Sequence, residues 1–283
     1  MQCLVVYHSS TGNTRFGVDI IRQEIEKNGG TCRIKKVAEA LDEAVESYDL
    51  IGVASPVFGF QPAFHLQDFL QTLPTLPGRL GFVFCSYSIA SANVLITLGE
   101  LLKMKGVSVI GAHAMRGEEA WPPLRFPAYI HGKGRPNLQD ARAVQDFARG
   151  IIQNYREWKE LPPESVTQSS DANSAESGLL VRSPAFDNLT RFITPNFMHL
   201  SMGRVTVMED RCIRCGLCAA ECPVGAIELQ PYPVTGRDCI GCWGCFNLCP
   251  QKAIASNLAR NRIPYSGMRE YQKMQIEKQL DQG

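Results

Sequence analysis

Eight of the eleven cysteines of this chain lie between Cys212 and Cys249, in two runs of one pattern, C-x2-C-x2-C-x3-C-P. The first run, CIRCGLCAAECP, places Cys212, Cys215, Cys218 and Cys222 ahead of Pro223. The second, CIGCWGCFNLCP, places Cys239, Cys242, Cys245 and Cys249 ahead of Pro250. Three thiolates at this spacing can wrap one corner of an iron–sulfur cube. The fourth, on a short helical turn, points away and can ligate a second cube. The expected ligation is therefore crossed: Cys212, Cys215, Cys218 and Cys249 on one [4Fe–4S] cluster, and Cys239, Cys242, Cys245 and Cys222 on the other. Structural zinc fits poorly, because it usually takes four ligands as two well-separated pairs. Disulfides fit poorly in a chain with no export signal ahead of its first strand.

A second constellation is Ser9-Ser10-Thr11-Gly12-Asn13-Thr14, between an apolar run (QCLVVY, 2–7) and a helical pattern. Free backbone N–H groups and the helix dipole favour an anion at such a junction. Gly12 lets the chain fold tightly around a phosphate, and the hydroxyls add donors without a lysine. The loop is neither G-x-x-x-x-G-K-[ST] nor G-x-G-x-x-G, so ATP and NAD fit less well than a terminal phosphate monoester. On spacing alone, a Ser/Thr-rich helix cap without a ligand stays open.

The elements that must position these groups alternate. Strands are expected at 2–7, 31–37, 48–55, 79–87 and 107–113. Helices are expected from Phe16 to Lys27 (closed by Asn28-Gly29-Gly30), over a polar, Ala-rich stretch to about Ser47, over 63–72, from Ala92 to Lys105 and from Leu138 to Trp158. Alternation with short turns reads as a doubly wound parallel sheet. The connection AMRGEEAWPPLRFPAYIHGKGRPN (114–137) far exceeds the two to six residues typical of such a turn. A lid over the ligand, a platform for the C-terminal part and surface padding are all open for it.

The organisation expected is 1–160 as the sheet domain, 161–202 as linker and docking segment, 203–260 as the cysteine domain and 261–283 as a helical tail. Leu161 to Ala185 has linker composition and, if flexible, spans roughly 25–30 Å, enough to reach across a dimer. Phe186 to Met202 is more apolar. It packs the domains together, packs against a second subunit, or stands as a bare helical arm. In the cysteine domain VGAIE and KAIAS repeat after each cysteine run, and basic and acidic residues nearly balance. Trp243 sits where small residues are usual, fit to shield a cluster or contact a partner. The tail is a polar helix to which no chemistry is assigned.

The bulk numbers bound the function classes. With 283 residues, 45% hydrophobic, 20% charged and net charge +1, no field of one sign points to nucleic acid or acidic membranes. No apolar run approaches the roughly 18 residues of a membrane span, and no leader precedes the first strand. A soluble cytoplasmic protein is expected, from an anaerobic or microaerobic host if its clusters are exposed. His8 precedes the phosphate-loop candidate, where contact with a cofactor is open and a surface or capping histidine is expected; Cys3, Cys32 and Cys85 are expected as core thiols. No Ser/His/Asp set, paired carboxylates or HExxH points to hydrolysis.

S-x-T-G-x-T after the first strand resembles the FMN phosphate loop of flavodoxins, and five strands match the flavodoxin-like order, with FMN at the strand switch point. The resemblance implies that two further loops sandwich the isoalloxazine ring: Pro56, Val57, Phe58, Gly59 and Phe60 after strand three, and Ser86, Tyr87 and Ser88, continuing to Asn93, after strand four. Phe58, Phe60 and Tyr87 are then the stacking candidates, and the Gly59 peptide can turn toward flavin N5. The first loop departs from many flavodoxins in lacking a tryptophan. The cysteine spacing is that of bacterial two-cluster ferredoxins. Together the halves resemble the flavodoxin–ferredoxin fusion proteins of anaerobic bacteria and archaea, sometimes called ferrodoxins. The fold implied is an α/β flavodoxin-like five-stranded doubly wound parallel sheet, plus a small α+β two-cluster ferredoxin domain. The implied function is electron transfer between a low-potential donor and FMN through two [4Fe–4S] clusters, with a ferredoxin-like redox partner and a possible homodimer. An FMN-dependent reductase of a quinone-like acceptor is the alternative, and a redox sensor a third reading.

Overall fold

Strands β1 (Gln2–Tyr7), β3 (Leu50–Pro56) and β4 (Leu80–Tyr87) are buried along almost their whole length rather than at alternate residues. That is the pattern of strands covered on both faces. The computed structural model describes residues 1–160, 182–268 and 270–281. With β2 (Thr31–Lys36) and β5 (Ser108–Arg116) at the edges, the strands form an all-parallel five-stranded sheet in the order β2-β1-β3-β4-β5. This is the flavodoxin-like order, with its switch point between β1 and β3.

Side chains alternate between two cores. Leu4, Val6, Val53 and Val83 meet helices α2 (Phe64–Thr72) and α3 (Val94–Met104) on one face. Cys3, Val5, Phe82 and Phe84 meet α1 (Asn13–Lys27) and α4 (Leu138–Glu160) on the other. Burying each large apolar side chain contributes about 1.5–3 kcal/mol, so the two layers fix where the loops at the carboxyl ends of the strands emerge. Cys3, Cys32 and Cys85 are buried as expected.

Two expectations fail locally. The stretch ending at Ser47 is not a helix but two isolated 3-10 turns, Val37–Glu39 and Val45–Ser47. Val37, Ala40, Val45 and Tyr48 reach the core, while Leu41, which a helix would place on the same face, is exposed. Glu43 is also drawn across to Arg33 and Lys35 on β2. Strand β5 runs three residues beyond 113, pairing Arg116 with Tyr87, so the long connection begins at Gly117.

The linker expected at 161–185 lies outside the described residues except for its last four. Beyond it, α5 (Pro184–Thr190) and α6 (Pro195–Leu200) pack the two parts of the chain together. Asn93 bonds Ser183 and Asp187, Gln61 bonds the Ile193 carbonyl, and Met198 enters the core of the sheet domain. The C-terminal part holds two small antiparallel ladders, β6 (Val205–Val207) with β9 (Ile254–Ser256) and β7 (Ile227–Leu229) with β8 (Pro233–Thr235). Two short helices lie between the strands, α7 (Leu217–Ala220) and α8 (Gly244–Leu248). Its core gathers Met202, Trp243, Phe246 and Ile254, with Trp121 of the long connection packed against them. A last helix, α9 (Glu270–Asp281), returns to α1 and α4, burying Ile276 and Leu280. No helix among the described residues is long and apolar enough to cross a membrane.

Candidate cofactor cavity and cysteine sites

The loop between β1 and α1 ends on Gly12, whose φ of +94° is a left-handed conformation that side-chain-bearing residues rarely adopt. Ser9 Oγ accepts hydrogen bonds from the Gly12 and Arg15 amides at 3.2 and 3.3 Å. The amides of Ser10, Thr11, Asn13 and Thr14 have no protein acceptor among the described residues. A cluster of unpaired first-turn N–H groups is what an anion needs. Thr14 Oγ1 lies 2.8 Å from Ser86 Oγ, which ties this loop to the end of β4.

Around the loop lies a cavity of about 430 Å³, within the range of ligand pockets. Ser9, Ser10, Thr11, Asn13, Thr14, Pro56, Val57, Phe58, Gly59, Phe60, Ser86, Tyr87 and Ser88 line it. Of the residues expected for the flavin, Gly12 is off the wall, and the loop after β4 lines it only as far as Ala90, not to Asn93. Phe60 stacks its ring on Phe186, with centroids 5.6 Å apart, so this stacking candidate already has an aromatic partner.

Three wall segments were not assigned to the site from sequence. Glu118, Glu119 and Trp121 come from the long connection, Phe192, Ile193 and Met198 from the α5–α6 segment, and Gly241, Cys242 and Trp243 from the second cysteine run. Glu119 accepts from Ser88 Oγ at 2.5 Å and from the Trp121 amide at 2.8 Å. Only the length of the connection signalled such a role. It acts both as cavity wall and as platform, because Asn247 on α8 donates to its Ala120 carbonyl at 2.8 Å. Trp243 is buried in the small core, not on the surface. The indole N–H groups of Trp121 and Trp243 are buried without an acceptor. Each costs about 1–3 kcal/mol, and an acceptor-rich ligand would offset that.

The cysteines of the two runs lie near one another in the small domain. Cys212, Cys215, Cys218 and Cys249 line one cavity with Ile213, Leu217 and Pro250. Cys222 lies by Cys239 and Cys242 and disfavours their ionisation. Burial is the larger cause: it pushes Cys242 up to about 12 and raises Cys239 and Cys245 as well. Bare thiolates are therefore disfavoured here, and cationic iron is the partner that would favour them. The fourth cysteine of each run accepts a matching amide, Ala226 N to Cys222 Sγ and Ala253 N to Cys249 Sγ, both at 3.2 Å. This is the internal repeat expressed as structure. Among the described residues, no three His, Cys, Asp or Glu converge on an ion-sized point.

Cys242 belongs to both sites. A Cβ built on Gly244 would sit 3.5 Å from Cys242 Sγ and 3.4 Å from the Ser10 carbonyl. The second cysteine set thus abuts the phosphate-loop candidate within one chain. The first set lies on the outer side, where Cys215 and Ile213 are exposed.

His8 is not a surface or capping histidine. It is buried, with its ring edge-on to His65 at 4.7 Å and to Phe58 at 6.2 Å. Burial holds His8 well below the usual imidazole range, helped by His65 and Lys36, and lowers His65 to about 4. Nothing in the local sequence flagged His65, whose partner lies 57 residues away on another element.

A family of 4Fe-4S binding domains matches residues 205–228. Over 50 residues the chain is 42% identical to a component of the ion-translocating oxidoreductase complex of Methanosarcina acetivorans, covering 17% of this chain and 19% of that protein. Over 55 residues it is 38% identical to a ferredoxin of Pyrobaculum islandicum, covering 18% of this chain and 51% of that one. The chain thus spans about a fifth and about half of these relatives. Among solved structures, a flavodoxin from the domain Archaea is 19% identical at a TM-score of 0.43, over 55% of this chain and 99% of that one. Rubredoxin oxygen:oxidoreductase of Desulfovibrio gigas is 15% identical at a TM-score of 0.44, over 56% and 37%. The chain joins a flavodoxin-like sheet to a 4Fe-4S ferredoxin domain, an architecture for electron transfer in general.

Proposed function

We propose that the protein is an electron-transfer iron–sulfur flavoprotein, passing electrons between a low-potential donor protein and FMN through two [4Fe–4S] clusters. The observation that carries this reading is that Cys242 and the phosphate-loop candidate line a single cavity. The bound groups would supply one-electron transfer at the clusters and one- or two-electron chemistry at the flavin. The chain's own residues do the rest. The unpaired amides of Ser10, Thr11, Asn13 and Thr14 hold the phosphate. Phe58, Tyr87 and Ser88 flank the ring, and Glu119, fixed by Ser88, sets the charge of the wall. Cys239, Cys242, Cys245 and Cys222 form the inner ligand set. Cys212, Cys215, Cys218 and Cys249 form the outer set, facing a ferredoxin-like partner. Since Ser10 and Cys242 line one cavity within one chain, this reading needs no second subunit.

One observation favours a second reading, reduction of a small quinone-like acceptor at the flavin. The cavity's rim carries Ile89, Phe192 and Phe197, which are 50%, 77% and 51% exposed, and an apolar rim suits a planar organic molecule.

Anaerobic purification with metal, sulfide and flavin analysis tests the first reading. It expects about eight iron, eight sulfide and one FMN per chain, and loss of rapid flavin bleaching by a low-potential donor in Cys242→Ser. Zinc in place of iron and sulfide, or failure to take up FMN, would overturn it. Sustained turnover of quinones, with no reduction of protein carriers, would favour the second reading.

A further inference from the structure

Between the cysteine domain and α9, residues Arg262 to Met268 cross directly over the phosphate-loop candidate. The Met268 amide donates to the Thr11 carbonyl at 3.3 Å. Tyr265 donates its hydroxyl to Asn13 Oδ1 at 2.6 Å, a bond buried from solvent. Asn13 is held on its other side by Glu118, whose carbonyl accepts from Nδ2 at 3.2 Å. At Gly267 the backbone approaches so closely that a Cβ would lie 2.6 Å from the Thr11 carbonyl, and its φ is +75°. Only glycine is free of both penalties there.

The same segment is pinned at each end. The Tyr265 amide donates to Asn247 Oδ1 at 2.9 Å, and Asn247 sits on α8 between Cys245 and Cys249. Arg125, 3% exposed, donates to the Ile263 carbonyl at 2.7 Å and pairs with Glu118 at 2.9 Å. Beyond Met268, α9 is seated by Lys273 on Asp19 of α1 at 3.1 Å. A chain of buried bonds therefore runs from the helix bearing Cys245, through Asn247 and Tyr265, to the side chain at the start of α1.

We infer that Arg262–Met268 is a strap that holds the phosphate loop in its binding conformation, with Tyr265 as the positioning residue, and that it ties flavin retention to the seating of the cysteine-bearing helix. The inference rests on the FMN reading above. Asn13 and Thr11 sit at the phosphate end of the cavity, so the strap acts on the phosphate rather than on the ring. A loop pre-ordered by fixed partners pays less on binding. By linkage, whatever loosens α8 loosens the flavin phosphate, and the reverse.

The test uses the anaerobically purified full-length protein, reconstituted with FMN or with riboflavin, which lacks the phosphate. Tyr265→Phe removes one hydroxyl and keeps the ring. The expected result is about five- to tenfold weaker FMN binding, the effect of one lost buried hydrogen bond. Riboflavin affinity, iron content and cluster absorbance should stay unchanged. A general packing defect would weaken both flavins alike, and that outcome overturns the inference, as does an unchanged FMN affinity. Asn247→Ala, judged only where iron content is retained, should weaken FMN by a similar factor. Wild-type FMN affinity in that variant would overturn the tie to the cysteine helix. If the wild type keeps its iron but binds no FMN, the functional reading itself fails. If the wild type binds FMN and Tyr265→Phe binds it as tightly, the strap alone fails.

Discussion

His8 and His65 are held neutral edge-on to each other, with Phe58 against His8, where burial penalises the charged imidazole. In the unfolded chain both titrate near 6.5. Folded pKa values below that make the unfolded state bind more protons as pH falls. Their stability contribution is therefore full above about 6.5 and is lost as pH drops toward about 4, the value for His65. Between pH 7.5 and 5.5, His65 alone should account for about 1 kcal/mol of lost stability. His65→Leu should remove about that much of the pH dependence in anaerobic denaturant titrations at the two pH values. An unchanged dependence would mean that the His65 imidazole binds its proton equally well in the folded and unfolded chain. The pair shows the limit of local reading, because the two rings belong to different elements and neither lies in a motif. The cysteines are the opposite case, since their spacing along the chain already constrains which can face which.

At the scale of elements, the connection 117–137 has the most consequence. It lines the candidate cofactor cavity with Glu118, Glu119 and Trp121, and its Ala120 carbonyl takes a bond from α8. Arg125, bonded to Glu118 and to the Glu119 carbonyl, braces the turn from within. Its length announced a function, but lid and platform could not be separated without knowing what lay on either side. Trp121→Ala should cost about 2 kcal/mol, as a large-to-small change at a partly buried site. Hydrogen exchange should speed up in both 117–125 and 243–248, while β1, β3 and β4 stay protected. Faster exchange confined to the connection would show that it does not brace the cysteine domain. The stretch ending at Ser47 teaches the reverse lesson. Its residues favour helix locally, yet Glu43 finds Arg33 and Lys35 across the chain, and long-range pairing overrides propensity.

Across the whole molecule, the two parts share core. Met198, Ile193, Ile240 and Cys242 pack into the layer beneath α2 and α3, and α9 closes the opposite layer with Ile276 and Leu280. Cooperative unfolding follows when apolar surface is shared in this way. In anaerobic thermal scans, flavin release, cluster bleaching and loss of far-UV helix signal should coincide within a few degrees. Met198→Ala should lower all three together, by about 2–4 kcal/mol at the midpoint. A cluster transition well separated from the loss of helix would show two independently stable units. By contrast, the Lys36–Glu221 ion pair across the same junction is half-exposed. Removing it should change stability by less than about 1 kcal/mol.

The sequence by itself determined the pieces whose chemistry is local. Repeated cysteine spacing marks two matched sets of thiols, the Ser/Thr/Gly turn marks a helix start with free amides, and alternating elements mark a parallel sheet. Each cysteine run, turn and single element depends on residues close together in the chain, where chain geometry leaves few choices. Only the tertiary structure decided that Cys242 borders the cavity of Ser10, that Tyr265 reaches back across the chain to Asn13, and that His8 is buried against His65. Those contacts arise from how two cores and a returning helix exclude water together, and no periodicity along the chain records them.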